Sequence, residues 1–343
     1  MAIAVTIVVA CRNEIRHIRK FLASLAAIGH ADLALDAIIA DGMSTDGTRQ
    51  ALDEFARAHP WCIIIDNPGQ IVSTGLNRAI RQATGEFIVR MDAHTAYEPG
   101  YVIRSIAVLQ STGAVNVGGP QRSRATGYWP RAIHAGFHSP FATGGARFRN
   151  DTYCGAVDTV PYGCWRRDYL IAIGMFDETL VRNQDDELNL RIRCAGGIVW
   201  QDPSIVSWYS PRTTLGGVFR QYFDYGFWRV AVLRKHPRRG SMRQYVPAAA
   251  AILGIGLLLF ARPGLAALAA VYLVLSLGAS IRAAHRKGWD LFPALPLVFA
   301  TYQFSYAAGF LCGLVYWTLQ GRARSRDRKN SPRVPDARPH DSA

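Results

Sequence analysis

Hydrophobic and polar positions along the first hundred residues switch between two periods. Residues 5–10 are apolar without interruption and predict a strand, whereas Ile15, Ile18, Phe21, Leu22 and Leu25 recur at helical spacing. The same pair repeats as a strand over 37–40 with a helix over 48–59, then a strand over 62–66 with a helix near 75–83, then a strand over 87–91. Short runs that are apolar on both faces, separated by helices, predict an α/β fold with a mostly parallel sheet covered on both sides. In such sheets ligands bind at the carboxyl ends of the strands. Residues 111–233 are less regular, but strands near 115–117 and 198–200 and a helix over 186–193 extend the same sheet without a second soluble core.

Past residue 243 the polar positions thin out. Apolar runs near 246–262, 264–281 and 291–319 are separated by Arg262-Pro263-Gly264 and by a basic stretch over 282–287. Each approaches the roughly 20 residues that a membrane span needs. Buried helices of a soluble domain are the alternative, although three such runs show almost no polar face. The chain therefore divides into a catalytic part over 1–233, with an interfacial segment near 212–233, a membrane region over 234–320, and a basic tail over 321–343 whose composition predicts disorder. Arg234-Lys235, Arg238-Arg239, Arg282 and Arg286-Lys287 fall on the cytoplasmic side by the positive-inside rule, which makes the first two runs a hairpin and puts the catalytic part in the cytoplasm. Pro293 and Pro296 leave open whether the third run spans or turns back.

Charge changes the picture in one respect. The net charge is +14, yet residues 1–233 hold 23 Lys and Arg against 21 Asp and Glu, while residues 234–343 hold 16 against 4. A nucleic-acid enzyme would carry its basic patch on the part that does the chemistry, so nucleic acid is excluded as the partner and a lipid surface favoured. Six cysteines without a CxxC pair argue against structural zinc and for a reducing compartment. The apolar opening followed by Cys11 lacks the positive segment of a secretory signal and reads as the first strand.

The candidate chemistry lies at three strand or helix ends. Asp92 and His94 leave the strand over 87–91 two positions apart, so a carboxylate and an imidazole can meet one divalent ion beside a diphosphate. Upstream stands Ala40-Asp41-Gly42, with Asp46-Gly47-Thr48 reading as a helix N-terminus. Downstream stands Asn183-Gln184-Asp185-Asp186-Glu187, three adjacent acids that suit a helix start, with Asp186 solvated and Glu187 paired to Arg191 four residues on.

These motifs, in this order, resemble family 2 glycosyltransferases of the GT-A type over residues 3–233. They are most similar to the membrane-attached glucosyltransferases of bacterial exopolysaccharide (succinoglycan) assembly, which share the Asp-Ala-His variant and the Asn-Gln-Asp-Asp-Glu-Leu-Asn run. The resemblance implies that Ala10, Glu14, Asp41 and Asp92 contact a nucleotide sugar and that Asp92 and His94 hold Mn2+ or Mg2+. It implies that Asp185 is the catalytic base, with Arg220, Gln221 and Trp228 as weaker candidates near the acceptor or diphosphate. Trp129, Tyr162 and Trp165 are open as sugar-stacking residues. The implied activity is inverting transfer of a hexose, most often glucose, from a UDP-sugar to a polyprenyl-diphosphate-linked saccharide. The setting is the cytoplasmic membrane of a bacterium, with contact to other exopolysaccharide enzymes. Transfer to polyprenyl phosphate, as in dolichyl-phosphate-type synthases, and a catalytically silent nucleotide-binding scaffold are the alternatives.

Overall fold

The protein is described from a computed structural model covering residues 2–28, 33–123, 125–209, 211–237 and 244–330, with side chains to 319. The apolar runs form strands β1 (Ile3–Cys11), β2 (Leu33–Asp41), β3 (Cys62–Asp66) and β4 (Phe87–Asp92). Between them lie helices α1 (Ile15–Ala26), α2 (Thr48–Ala58) and α3 (Val72–Gln82). β1 pairs in parallel with both β2 and β4, and β2 with β3. The register sets Ala10 beside Ala40 and Asp92, and Cys11 beside Asp41, so the residues that follow each strand gather along one edge.

Both faces of this sheet are covered, which is why its strands carry no polar alternation. Val5, Ile7 and Val9 pack with Ile18, Phe21 and Leu25 of α1, whereas Val8, Ile38 and Ile88 pack with Leu76 and Ile80 of α3. Each fully buried aliphatic side chain contributes at most about 1.5–3 kcal/mol to holding its layer.

The later half departs from a purely parallel sheet. After β5 (Thr95–Tyr97) and α4 (Tyr101–Thr112) come β6 (Asn116–Gly118), β7 (Arg122–Ser123), α5 (Tyr128–Phe137), α6 (Pro140–Thr143) and β8 (Gly155–Ala156). β9 (Cys164–Arg166), α7 (Arg167–Ala172), α8 (Gln184–Cys194), β10 (Val199–Gln201) and β11 (Ser207–Tyr209) follow. The main sheet has the order β3-β2-β1-β4-β9-β6-β10-β8, with β9 antiparallel to both β4 and β6, and β5-β11-β7 form a second, small sheet. Strand β9 and the small sheet are too short to leave a periodic signal. All six cysteines are free.

Helices α9 (Leu215–Lys235), α10 (Val246–Phe260), α11 (Arg262–Lys287) and α12 (Leu295–Asn330) complete the chain. Pro293 lies in the turn before α12 and Pro296 in its first turn, where a missing N–H costs nothing, so the third apolar run is one unbroken helix from Leu295 on. α9 and α12 touch backbone to backbone. A Cβ on Gly226 would lie 2.1 Å from the Tyr306 carbonyl oxygen, one on Gly309 would lie 2.0 Å from that of Phe223, and one on Gly313 would lie 2.7 Å from that of Phe227. Gly309 and Gly313 stand four apart on one face, the spacing that lets apolar helices approach this closely.

Among the described residues two helices are long and apolar enough to cross a membrane, Arg262–Lys287 and Leu295–Leu319. Val246–Phe260 is as apolar but has 15 residues, about 22 Å at 1.5 Å per residue. Much of their apolar surface is open, with Phe260 88% and Val274 67% exposed. The tail beyond residue 330 lies outside the described residues.

Candidate active site

Two cavities meet at the carboxyl edge of β1 and β4. The smaller, about 310 Å3, is lined by Ala10 and Glu14 after β1, Asn67 and Ile71 after β3, and Asp92 with His94 after β4. The larger, about 1220 Å3, also takes in Asp92 and His94 and adds Arg90, Asp185, Asp186 and a face of α9. Asp92, His94, Val72, Arg182, Tyr209 and Arg212 border both.

The link between metal pair and acid run is Arg90, which the motif reading passed over. Its guanidinium donates to Asp92 Oδ1 from Nε at 3.1 Å and, from its other arm, to Asp185 Oδ1. The side chain is 3% exposed. Burial opposes its charge, and Asp185 and Asp92 more than restore it. The signal was present in the chain: a lone Arg inside the apolar strand Phe-Ile-Val-Arg-Met-Asp, two positions before Asp92, has to share that residue's face. Two carboxylates 93 positions apart in the chain are thereby tied to one cation.

Asp185 opens α8, after Asn183 in a left-handed turn with φ 61°. Burial raises its carboxyl, Arg90 pulls it back and the nearby charge of Asp92 raises it again, which together leave it at about 6. A carboxylate tuned to this range is ionised at neutral pH yet basic enough to accept a proton in a transition state. Its neighbours take other roles. Glu187 accepts from Arg191 Nε at 2.8 Å, as the spacing predicts, and also meets His236 Nε2 at 2.8 Å. Asp186 is not a solvated helix start: Arg229 of α9 reaches it at 2.5 Å, and both border the larger cavity.

His94 does not continue the strand. It sits in the two-residue turn between β4 and β5, because β5 leaves for the small sheet, and its Nδ1 lies 3.6 Å from Glu14 Oε1. Burial alone would lower its affinity for a proton, but Glu14 and then Asp92 outweigh that and raise it. The Asp92 N–H donates to the Tyr97 hydroxyl at 2.7 Å, which fixes the strand exit. Among the described residues no three His, Cys, Asp or Glu side chains converge into a closed metal cage. One carboxylate and one imidazole opening into a shared cavity fit the other kind of site, in which substrate phosphate oxygens complete the coordination of Mn2+ or Mg2+.

Asp41 stands a layer behind. It is 1% exposed, accepts from Ser44 Oγ at 2.5 Å, lies 3.8 Å from Arg49, and borders neither cavity, so its carboxylate braces the turn after β2. Asp46 takes the Thr48 N–H at 3.0 Å and the Ile15 N–H at 3.1 Å, tying α2 to α1, while Gly47 with φ 93° occupies the N-cap itself.

On α9 the cavity-facing stripe takes in one of the three expected residues and leaves the other two about 100° away, one position off. Val218, Gln221, Tyr222, Tyr225 and Arg229 border the larger cavity, at the i, i+3, i+4, i+7 and i+11 positions of one face. Arg220 is exposed on another face, and Trp228 packs against Trp317 of α12, with ring centroids 5.5 Å apart. Of the three candidates only Gln221 reaches the site, where its amide donates to the Tyr225 hydroxyl at 2.9 Å. Tyr162 borders the cavity but bonds Thr95, Trp165 is fully buried against Phe176, and Trp129 is on the surface.

Residues 6–173 match the model of the family described as glycosyl transferase family 2. The succinoglycan biosynthesis protein ExoA of Rhizobium meliloti (strain 1021) is 31% identical over 255 residues, covering 74% of this chain and 77% of that one. A dolichyl N-acetyl-α-D-glucosaminyl phosphate 3-β-D-2,3-diacetamido-2,3-dideoxy-β-D-glucuronosyltransferase of Methanococcus voltae is 23% identical over 326 residues, covering 91% of this chain and 97% of that one. Among solved structures, a mannosyltransferase from Pyrobaculum calidifontis, in complex with GDP-Man and Mn2+, is 20% identical with a TM-score of 0.61. It covers 91% of this chain and 88% of its own, a likeness of fold.

Proposed function

The chain belongs to glycosyl transferase family 2, and on that premise we propose that it is an inverting, metal-dependent hexosyltransferase of exopolysaccharide assembly. In this reading it moves glucose from a UDP-sugar to a polyprenyl-diphosphate-linked saccharide at the cytoplasmic face of a bacterial inner membrane. Residues 1–233 form the transferase, 234–320 the anchor. The single observation that carries it is the Arg90 bridge between Asp92 and Asp185, at the seam of the two cavities.

The nucleotide lies in the smaller cavity against Ala10, Glu14 and Asn67. Asp92 and His94 would hold a divalent ion, which when bound would supply positive charge at the departing diphosphate, and Arg212 at the same rim adds a second cation. Asp185 accepts the proton of the acceptor hydroxyl as that oxygen attacks the anomeric carbon from the larger cavity. Arg90 holds that carboxylate on the attacking side and keeps it ionised. A single displacement turns an α-linked donor into a β-glycoside. The acceptor's lipid follows from the apolar helices beside the site, since tethering raises its effective concentration, and from the lipid-phosphate acceptor in the name of the Methanococcus relative.

Asp185→Asn tests the base. Transfer to lipid acceptor is expected to vanish while UDP and Mn2+ binding stay near wild type; equal loss of both removes Asp185 from that role. Mass spectrometry of the lipid product, counting one phosphate or two, separates the diphosphate-linked acceptor from direct transfer to polyprenyl phosphate. A purified protein that consumes no sugar from a panel of nucleotide sugars would be a silent scaffold.

A further inference from the structure

The larger cavity does not stop at the catalytic acids. It continues past Tyr222 into a groove between α10, α11 and α12, where Leu258, Leu268 and Leu275 form an apolar lining. At about 1220 Å3 it exceeds the usual 300–1,000 Å3 of a small-molecule site. Most arginines on its wall already face an acid: Arg90 meets Asp92 and Asp185, Arg182 lies 3.9 Å from Asp224, Arg193 3.6 Å from Asp158, and Arg229 2.5 Å from Asp186.

Two do not pair with a carboxylate among the described residues, and they sit at different ends. Arg212 borders the nucleotide side. Arg149 borders only the larger cavity, follows α6, and lies on the way to the groove. Its guanidinium stands 4.4 Å over the Phe137 ring and 5.3 Å from that of Phe148, its Nη1 reaches the Phe137 carbonyl at 3.4 Å, and its buried Nε has no hydrogen-bond acceptor. A guanidinium with no carboxylate partner, held on an aromatic shelf by the Phe137 carbonyl and the Tyr222 hydroxyl between an acid site and an apolar groove, matches an amphiphile with an anionic joint.

We propose that Arg149 binds the phosphate of the acceptor lipid and that the groove between α10, α11 and α12 takes the first part of its hydrocarbon chain. The occupant is the long-chain isoprenoid carrier of the acceptor saccharide, laid so that its sugar end points at Asp185, and decaprenyl phosphate is its simplest phosphate-bearing probe. This deepens the reading of a lipid-linked acceptor and rests on it.

The experiment measures binding rather than turnover, so its failure is distinct from failure of the transferase reading. Full-length protein in detergent is titrated with decaprenyl phosphate, decaprenol and dioleoylphosphatidylglycerol, with bound lipid counted by native mass spectrometry and UDP affinity followed as a control on folding. Decaprenyl phosphate is expected to bind most tightly. Arg149→Gln is expected to weaken it at least about tenfold, the scale of a lost charge-assisted hydrogen bond, while decaprenol and UDP affinities stay unchanged. Arg149→Lys is expected to restore part of the loss. Leu268→Trp, which narrows the groove, is expected to weaken decaprenyl phosphate and decaprenol alike. Equal binding of phosphatidylglycerol, an Arg149→Gln protein with wild-type affinity for decaprenyl phosphate, or indifference to Leu268→Trp would each overturn the proposal.

Discussion

Replacing Arg90 with methionine removes one cation from between two carboxylates while keeping the length of the side chain. Asp185, at about 6, is about nine-tenths ionised at pH 7. An opposite charge at this range lowers a carboxyl by about 1–3 units, so its loss moves the group to about 7–9. The ionised fraction at pH 7 then falls to between about a half and a hundredth, and kcat/KM falls at least in proportion because only the ionised base accepts a proton. The stability cost tends to the low end of the ~3–5 kcal/mol for breaking a buried pair, since the Asp92 and Asp185 side chains are 18% and 30% exposed and Asp185 can take up a proton instead. The sign with pH follows from the raised carboxyl. The native state holds its proton where the unfolded chain, at the ordinary carboxyl value of 3.8, has lost it, so stability declines as pH rises from 3.8 through about 6. In the methionine variant that decline extends to higher pH. A pH–rate series from pH 5 to 9, with thermal unfolding at each pH, reads both effects. An Arg90→Met protein that is folded, active, and limited on the acid side by a group still near 6 would refute the reasoning. Arg90→Lys keeps the charge without the fork and should lie between the two.

His94→Ala is expected to raise the Mn2+ concentration for half-maximal activity roughly tenfold or more, the scale of losing support at a metal site; an unchanged metal titration would remove His94 from the ligand set. Gly309→Leu should lower the melting temperature by several degrees, because a side chain there has only the Phe223 carbonyl to occupy. Gly278→Leu is the control, since an added Cβ at Gly278 meets open space; equal shifts for both would show that the α9–α12 contact does not set stability.

Strands β1 to β4 and the helices between them were legible because continuous apolar runs and helical spacing leave no other arrangement. The Glu187–Arg191 pair followed from the same periodicity. Asp41 is ambiguous in the sequence because a residue at a strand exit can face a ligand or brace the turn, and the bond from the Ser44 hydroxyl is visible only in the fold. Arg220 and Trp228 were chosen from a run in which nearly every residue is aromatic or polar, and a helix with so little contrast hides its inward face. Arg90 does leave a signal, a single charge inside an apolar strand two positions before Asp92, but its partner Asp185 lies too far along the chain for that signal to name it.

The glycine seam between α9 and α12 leaves no side-chain cushion, so the two helices move as one slab. One side of that slab carries Tyr222, Tyr225 and Arg229 into the reaction chamber, and its other edge, α12, is long and apolar enough to cross a membrane. Wherever α12 settles relative to a lipid surface, those three side chains settle at a fixed height above it. If the acceptor is lipid-borne, as proposed, the distance over which the enzyme can meet it is a property of how deep the slab rides, built into three hydrogen atoms where other residues carry a side chain.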